Sequence, residues 1–162
     1  MTTYRQVVAS FILAWQVTYL RLVWHTLPAM LPSHFGADGL ANRYAPRSFA
    51  WVLIAVCAAL LIFLSVIERF SQAFNLPSPR GKPDRPRQEA LGRELLRWMQ
   101  LEIAVMFAFI LWSMVNVAQH KSDGLGVLFL PISIGILALT CAYYIRRMKT
   151  RRSHANVLHP GS

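Results

Sequence analysis

The chain has 162 residues, of which 55% are hydrophobic and only 15% charged, with a formal net charge of +10. Soluble domains carry about 45–50% apolar and about 25% charged residues, so this balance excludes an ordinary water-soluble domain, in keeping with a mean hydropathy of +0.38. The cations lie in two blocks that each abut an apolar run, the pattern of cytoplasmic flanks rather than of a nucleic-acid-binding face.

Val7–Trp24 is the first apolar run, diluted by Gln16, Thr18 and Arg21. Arg5 ahead of it invites comparison with a cleaved signal peptide. However, the run is long for a signal core, and His25-Thr26-Leu27-Pro28 follows it in place of a small-x-small cleavage site, so a retained span is expected. Leu27–Arg47 comes next, short and rich in proline and glycine. Phe49–Ile67 is the most apolar run; it has no charge and is long enough to cross a hydrocarbon core of about 30 Å. Trp51 fits an interfacial anchor near its start.

Residues 69–97 are hydrophilic. The segment NLPSPRGKPDRPR, with four prolines and a glycine, predicts a loop, and Leu91, Leu95, Leu96 and Met99 recur at helical spacing. That helix either lies on the surface or runs straight into the third span, Trp98–Val117, which carries Gln100, Glu102 and Asn116. A short turn, residues 118–126, leads to the fourth span, Val127–Ile145, in which Pro131 and Gly135 are expected to kink or pack. RRMKTRR and a tail, residues 153–162, expected to be disordered, complete the chain. Cys57 and Cys141 both lie in apolar runs and read as small buried hydrophobes.

The predicted fold is therefore all-α: a single polytopic membrane domain, residues 1–152, built as a bundle of four transmembrane helices. The 69–97 segment holds seven Lys and Arg and residues 146–152 hold five; the 27–47 loop holds two and the 118–126 turn one. The positive-inside rule then puts both termini and the 69–97 loop in the cytoplasm, and the 27–47 loop outside.

That outer loop is the candidate functional segment. Pro28 and Pro32 fix two backbone angles and remove two donors, so the stretch cannot be regular helix. Gly36 and Gly39 around Ala37-Asp38 suit a tight turn with positive φ. Phe35 and Tyr44 are placed to dip into the interface. His34 is either a proton-sensing or ligand-contacting side chain or a turn histidine bonded to the loop, and a metal site with His25 and Asp38 is a weaker option.

Leu27, Pro28, Leu31, Pro32, His34, Phe35 and Gly39 fall in register on the motif L-P-x-x-I/V-P-x-H-F-x-x-x-G. This stretch resembles the signature of a bacterial membrane family related to the SdpI immunity proteins. Tyr44 stands where that family often has Trp, and Arg47 where it often has Lys. The resemblance covers about 21 residues, backed by a similar topology. It implies a multi-pass protein of the bacterial plasma membrane, in a family whose best-described members give immunity to a secreted peptide toxin, some also signalling to a repressor. Under that reading Pro28, Pro32 and Gly39 shape the loop, while His34, Phe35 and Arg47 make contact.

Within the spans, Arg21 can snorkel outward, Gln16 and Asn116 suit helix–helix hydrogen bonds, and Glu102 is the intramembrane carboxylate. Glu102 is expected to pair with Arg97, Arg69 or Arg146. No nucleophile elbow, zinc-protease, Walker or paired-carboxylate arrangement occurs, so the expectation is a non-enzymatic protein with no cofactor and no metal. Its expected partners are the lipid bilayer and a secreted peptide or a membrane protein, with no nucleic acid. The alternative is a small transporter with Glu102 and Gln16 on a polar path, or an assembly subunit of a membrane complex.

Overall fold

Each of the four apolar runs is a helix in the computed structural model, which describes residues 4–70 and 85–149. Helix α1 spans Tyr4–Val23 and ends in a 3₁₀ turn, Trp24–Thr26. Strands β1, Met30–Phe35, and β2, Ala41–Pro46, form an antiparallel hairpin. Helices α2, Phe49–Arg69, α3, Arg85–Ala118, and α4, Phe129–Lys149, complete the fold. All four helices are long and apolar enough to cross a membrane. Their outward residues include Leu22, Leu139 and Ile62, 76%, 72% and 64% exposed, which water would penalise and lipid would cover. The chain is accordingly a mostly helical, multi-pass membrane protein, to which the hairpin adds the only strands among the described residues.

Contacts between helix ends give the direction of each span. At one end Gln6 of α1 donates to Glu68 of α2 at 2.6 Å, Arg5 sits over Trp98 of α3, and the Tyr144 hydroxyl of α4 donates to Glu94 at 3.3 Å. At the other end Trp24 meets Trp51, Gln119 donates to Thr26 at 2.9 Å, and Phe109 stacks on Phe129. Helices α1 and α3 therefore run one way and α2 and α4 the other. The hairpin and the 119–128 connection share one end; the basic flanks share the opposite end.

Helix α3 is the axis of the bundle, touching α1, α2, α4 and β1. It is one continuous helix of 34 residues, so the amphipathic segment before Trp98 runs straight into the span. At 1.5 Å per residue it is about 51 Å long, well beyond a hydrocarbon core of about 30 Å. Two apolar clusters lie on its α1–α2 side. Leu20, Leu27, Leu31, Ala50, Ile54, Leu111, Met114 and Val115 form the first, below the hairpin. Ala9, Cys57, Leu61 and Ala104 form the second, where small residues let three helices approach closely. Cys57 is buried and both cysteines are free.

Helix α4 differs from the expectation in one respect. Pro131 falls in its first turn, where the missing N–H would have had no partner, and the helix runs on without a break. A Cβ placed on Gly135 would meet nothing within 4 Å, so that glycine is not a close-packing position. The proline-rich segment before residue 85 and the 153–162 tail fall outside the described residues.

Candidate functional site

The 27–47 stretch is a β-hairpin plugged into the end of the bundle. Pro28 and Pro32 rule out helix, and the backbone extends instead. Met30 pairs with Pro46, Leu31 with Ala45, Pro32 with Tyr44, His34 with Arg43 and Phe35 with Ala41, with register irregularities on either side of His34. Ser33 has no partner opposite, as in a β-bulge. Leu27 and Leu31 are buried in the cluster under the hairpin, and Pro32 is also fully buried. Pro46 begins no further pairing, and the Arg47 amide donates to Ala29 O at 2.9 Å, closing the base. An isolated two-stranded hairpin is marginal in water, and these apolar anchors are what hold this one.

The turn follows from its residues. Gly39 N donates to Gly36 O at 2.9 Å, and Gly36 N donates to Leu40 O at 2.8 Å. Gly39 has φ +79°, while Gly36 does not have a positive φ. That arrangement is a three-residue hairpin loop in which the left-handed residue forms the bulge, so one glycine, not two, meets a backbone demand. Asp38 reinforces the turn by accepting the Leu40 amide on Oδ1 at 3.0 Å.

The tip is clasped by the connection between α3 and α4. The Leu125 amide donates to Gly39 O at 2.9 Å, Leu40 and Gly124 form a β-bridge, and Ser113 Oγ donates to Gly124 O at 3.0 Å. A Cβ on Gly124 would overlap the Gly39 carbonyl oxygen, and a Cβ on Gly39 would lie 2.5 Å from the Gly126 carbonyl carbon. Here glycine is needed because two backbones touch. The sequence marked Gly39 but gave no sign that Gly124 is its partner.

The hairpin is thus fixed at its base and tip, and its outer strand is open. Asn42, Arg43 and Tyr44 are exposed, as is His34. His34 Nδ1 lies 2.7 Å from Asn42 Oδ1 across the strands. With Nδ1 donating to the amide oxygen, Nε2 is left to accept from a ligand, or to donate once the ring is protonated. The histidine's partner is a side chain, not a loop carbonyl, and Asn42 was not among the sequence candidates. Phe35 is half-buried. Arg47 turns inward, its guanidinium 4.8 Å from the centroid of Trp24, which in turn packs on Trp51. Pro28 is exposed and Gly39 buried. Among the described residues no group of three His, Cys, Asp or Glu is placed to hold a metal, so His25, His34 and Asp38 do not converge.

The intramembrane polar residues are dispersed. Gln16 is completely buried; its Nε2 donates to Ala104 O at 3.3 Å and approaches Cys57 Sγ, tying α1 to α3 and α2. Asn116 bonds back to Trp112 O at 3.0 Å, a local bond within α3. Arg21 is exposed on the outside of α1. Glu102 accepts from Thr140 Oγ1 of α4 at 2.5 Å. Arg97, one of its expected partners, is taken by Glu68, whose Oε1 lies 2.6 Å from Nη2 and 2.7 Å from Nε. The rotational phase of α3 turns Arg97 to α2 and Glu102 to α4, so the expected pair does not form. Gln100 donates to Ser65 Oγ at 2.8 Å and to Leu61 O at 3.3 Å, completing a polar strap between α2 and α3 that sequence reading missed.

A family model described as a domain of unknown function, DUF1648, matches residues 9–58. Its span takes in α1 from Ala9, the whole hairpin, and α2 as far as Ala58; it stops short of the α3–α4 connection that clasps the tip. Neither the comparison with curated proteins nor that with solved structures gives a match.

Proposed function

We propose that this is a non-enzymatic protein of the bacterial plasma membrane, of the SdpI-related kind, whose hairpin recognises an extracytoplasmic peptide or reads conditions at the outer surface. The observation that carries this reading is the build of the hairpin: anchored at base and tip, yet with His34, Asn42, Arg43 and Tyr44 all exposed. A pre-ordered exposed face lowers the ordering cost of binding, which a mere connector would not need. The DUF1648 match contains the entire face. The topology is supported by the grouping of the loops: the end with the hairpin is poor in Lys and Arg, and the opposite end is rich in them. In this reading His34, Asn42 and Tyr44 make contact, while Arg47 and the prolines hold the shape.

A transporter with one polar path through Gln16 and Glu102 finds less support. Gln16 faces the α1–α2–α3 core, and Glu102 faces the seam with α4.

The test begins with address. Ala37→Cys, at the exposed turn, in a Cys57→Ala/Cys141→Ala background should react with a membrane-impermeant thiol reagent on intact cells. Labelling only after lysis would place the hairpin inside and overturn the reading. His34→Ala should then leave the amount of membrane-inserted protein unchanged while removing the phenotype on challenge with secreted peptides.

A further inference from the structure

The seam between α3 and α4 is unlike the rest of the bundle, and we infer that it is a binding site for a lipophilic cation, with Glu102 as its counter-charge. Two clefts open along the seam, of about 590 Å³ and about 660 Å³. Trp98 and Glu102 line both, so the clefts meet at this pair. The first cleft is walled by apolar and aromatic side chains, among them Val105, Phe109, Phe129 and Ile136, and among the described residues Glu102 is the sole charged one lining it. One carboxylate oxygen of Glu102 accepts from Thr140; the other, Oε2, is shielded from solvent and has no hydrogen-bond partner among the described residues.

A carboxylate oxygen left unsatisfied within a membrane span is costly unless something pairs with it. The helices do not supply that partner. The terminal torsion of a glutamate is soft, so a small rotation turns Oε2 toward either cleft. A strongly hydrated ion is a poor match for apolar walls of this kind, whereas a cation that carries its own apolar surface suits both walls and charge. The aromatic rings favour the same ligand class. Two of them already hold guanidinium groups at the mouth: Arg5 lies 4.4 Å from the Trp98 centroid and Arg147 5.5 Å from that of Tyr143. The second cleft also contains Arg5, Arg147 and Glu94, so with Glu102 its lining carries two cations and two carboxylates; in the first cleft Glu102 has no cation beside it among the described residues. Protonated amphiphilic amines and quaternary ammonium or phosphonium ions have this chemistry.

The first cleft reaches Leu125 and Gly126 beside the hairpin tip, but no hairpin residue lines either cleft, and the inference stands independently of the proposed function. Equilibrium dialysis of tetraphenylphosphonium against the full-length protein in mild detergent tests it, with tetraphenylborate as an anion of the same shape. Saturable binding of the cation and none of the anion is expected. Glu102→Gln should weaken the cation by about 30-fold or more, as loss of a desolvated charge partner does, and Glu102→Asp should keep most of the binding. Absence of saturable binding to the wild type, equal uptake of the anion, or an unchanged affinity in a folded Glu102→Gln would overturn the site and leave the seam to lipid or to another helix. Should Glu102→Gln fail to fold, the comparison of cation with anion on the wild type decides.

Discussion

The two ends of the bundle are built by opposite means. The hairpin end is held by shape: Leu27 and Leu31 pack among Leu20, Ala50, Ile54 and Leu111, and glycine backbones touch at the tip. The basic end is held by polar pairing: hydrogen bonds and an ion pair join Gln6, Glu68 and Arg97 across three helices, and Gln100 bonds separately to Ser65. Shape fixes a position closely and leaves the outer face free for other work. Polar pairing at the other end suits a surface crowded with lipid headgroups, where charges are partly solvated.

The contrast can be broken most severely at Leu31. Leu31→Ala removes a fully buried side chain from the plug and should destabilise the fold by about 2–5 kcal/mol. With Cys141 replaced, the rate at which Cys57 becomes reactive to a thiol dye on heating reads this directly. Gly39→Ala comes next: its φ of +79° and the Gly126 backbone against its Cβ position together predict a loss of about 2–4 kcal/mol. Gly135→Ala, which meets open space, should be neutral in the same assay. At the basic end, Arg97→Ala leaves Glu68 with Gln6 alone. Because the pair is only partly shielded, at 19% and 10% exposure, the expected loss is about 1–3 kcal/mol. The double variant Glu68→Gln/Arg97→Ala should recover part of that loss, which would sharpen the distinction between pairing and shape. The smallest effect on unfolding belongs to His34→Ala, which should leave the transition where it was. A large shift there would mean that His34 supports the hairpin structurally, as the sequence alternative held.

Much of the architecture was legible because long apolar runs have few other uses. The count of helices and their alternation follow from span length and loop parity. The hairpin was harder to see. ANRYAP has no period-2 alternation, and β1 buries Leu31 and Pro32 in succession, so the strands lack the signal by which strands are recognised. They exist because the bundle end accepts Leu31, which is a tertiary fact. Gly39 could be read from the turn it serves, whereas Gly124 could not, because its constraint comes from a segment far away in the chain. Glu102 was identifiable as a charge in a span, but its partner Thr140 depends on the rotation of α4, which no local pattern in the sequence encodes.

The clasp between Gly39 and Gly124 also bears on the order of events during synthesis. The two glycines are 85 residues apart in the sequence. At elongation rates of about 5–20 residues per second, the tip is made about 4–17 s before its clasp exists. For most of that interval Leu31 also lacks Leu111, Met114 and Val115, whose helix is made late in it. The exposed face can therefore reach its final form only when the last two helices have entered the bilayer, so an incompletely inserted chain presents no finished surface to a ligand.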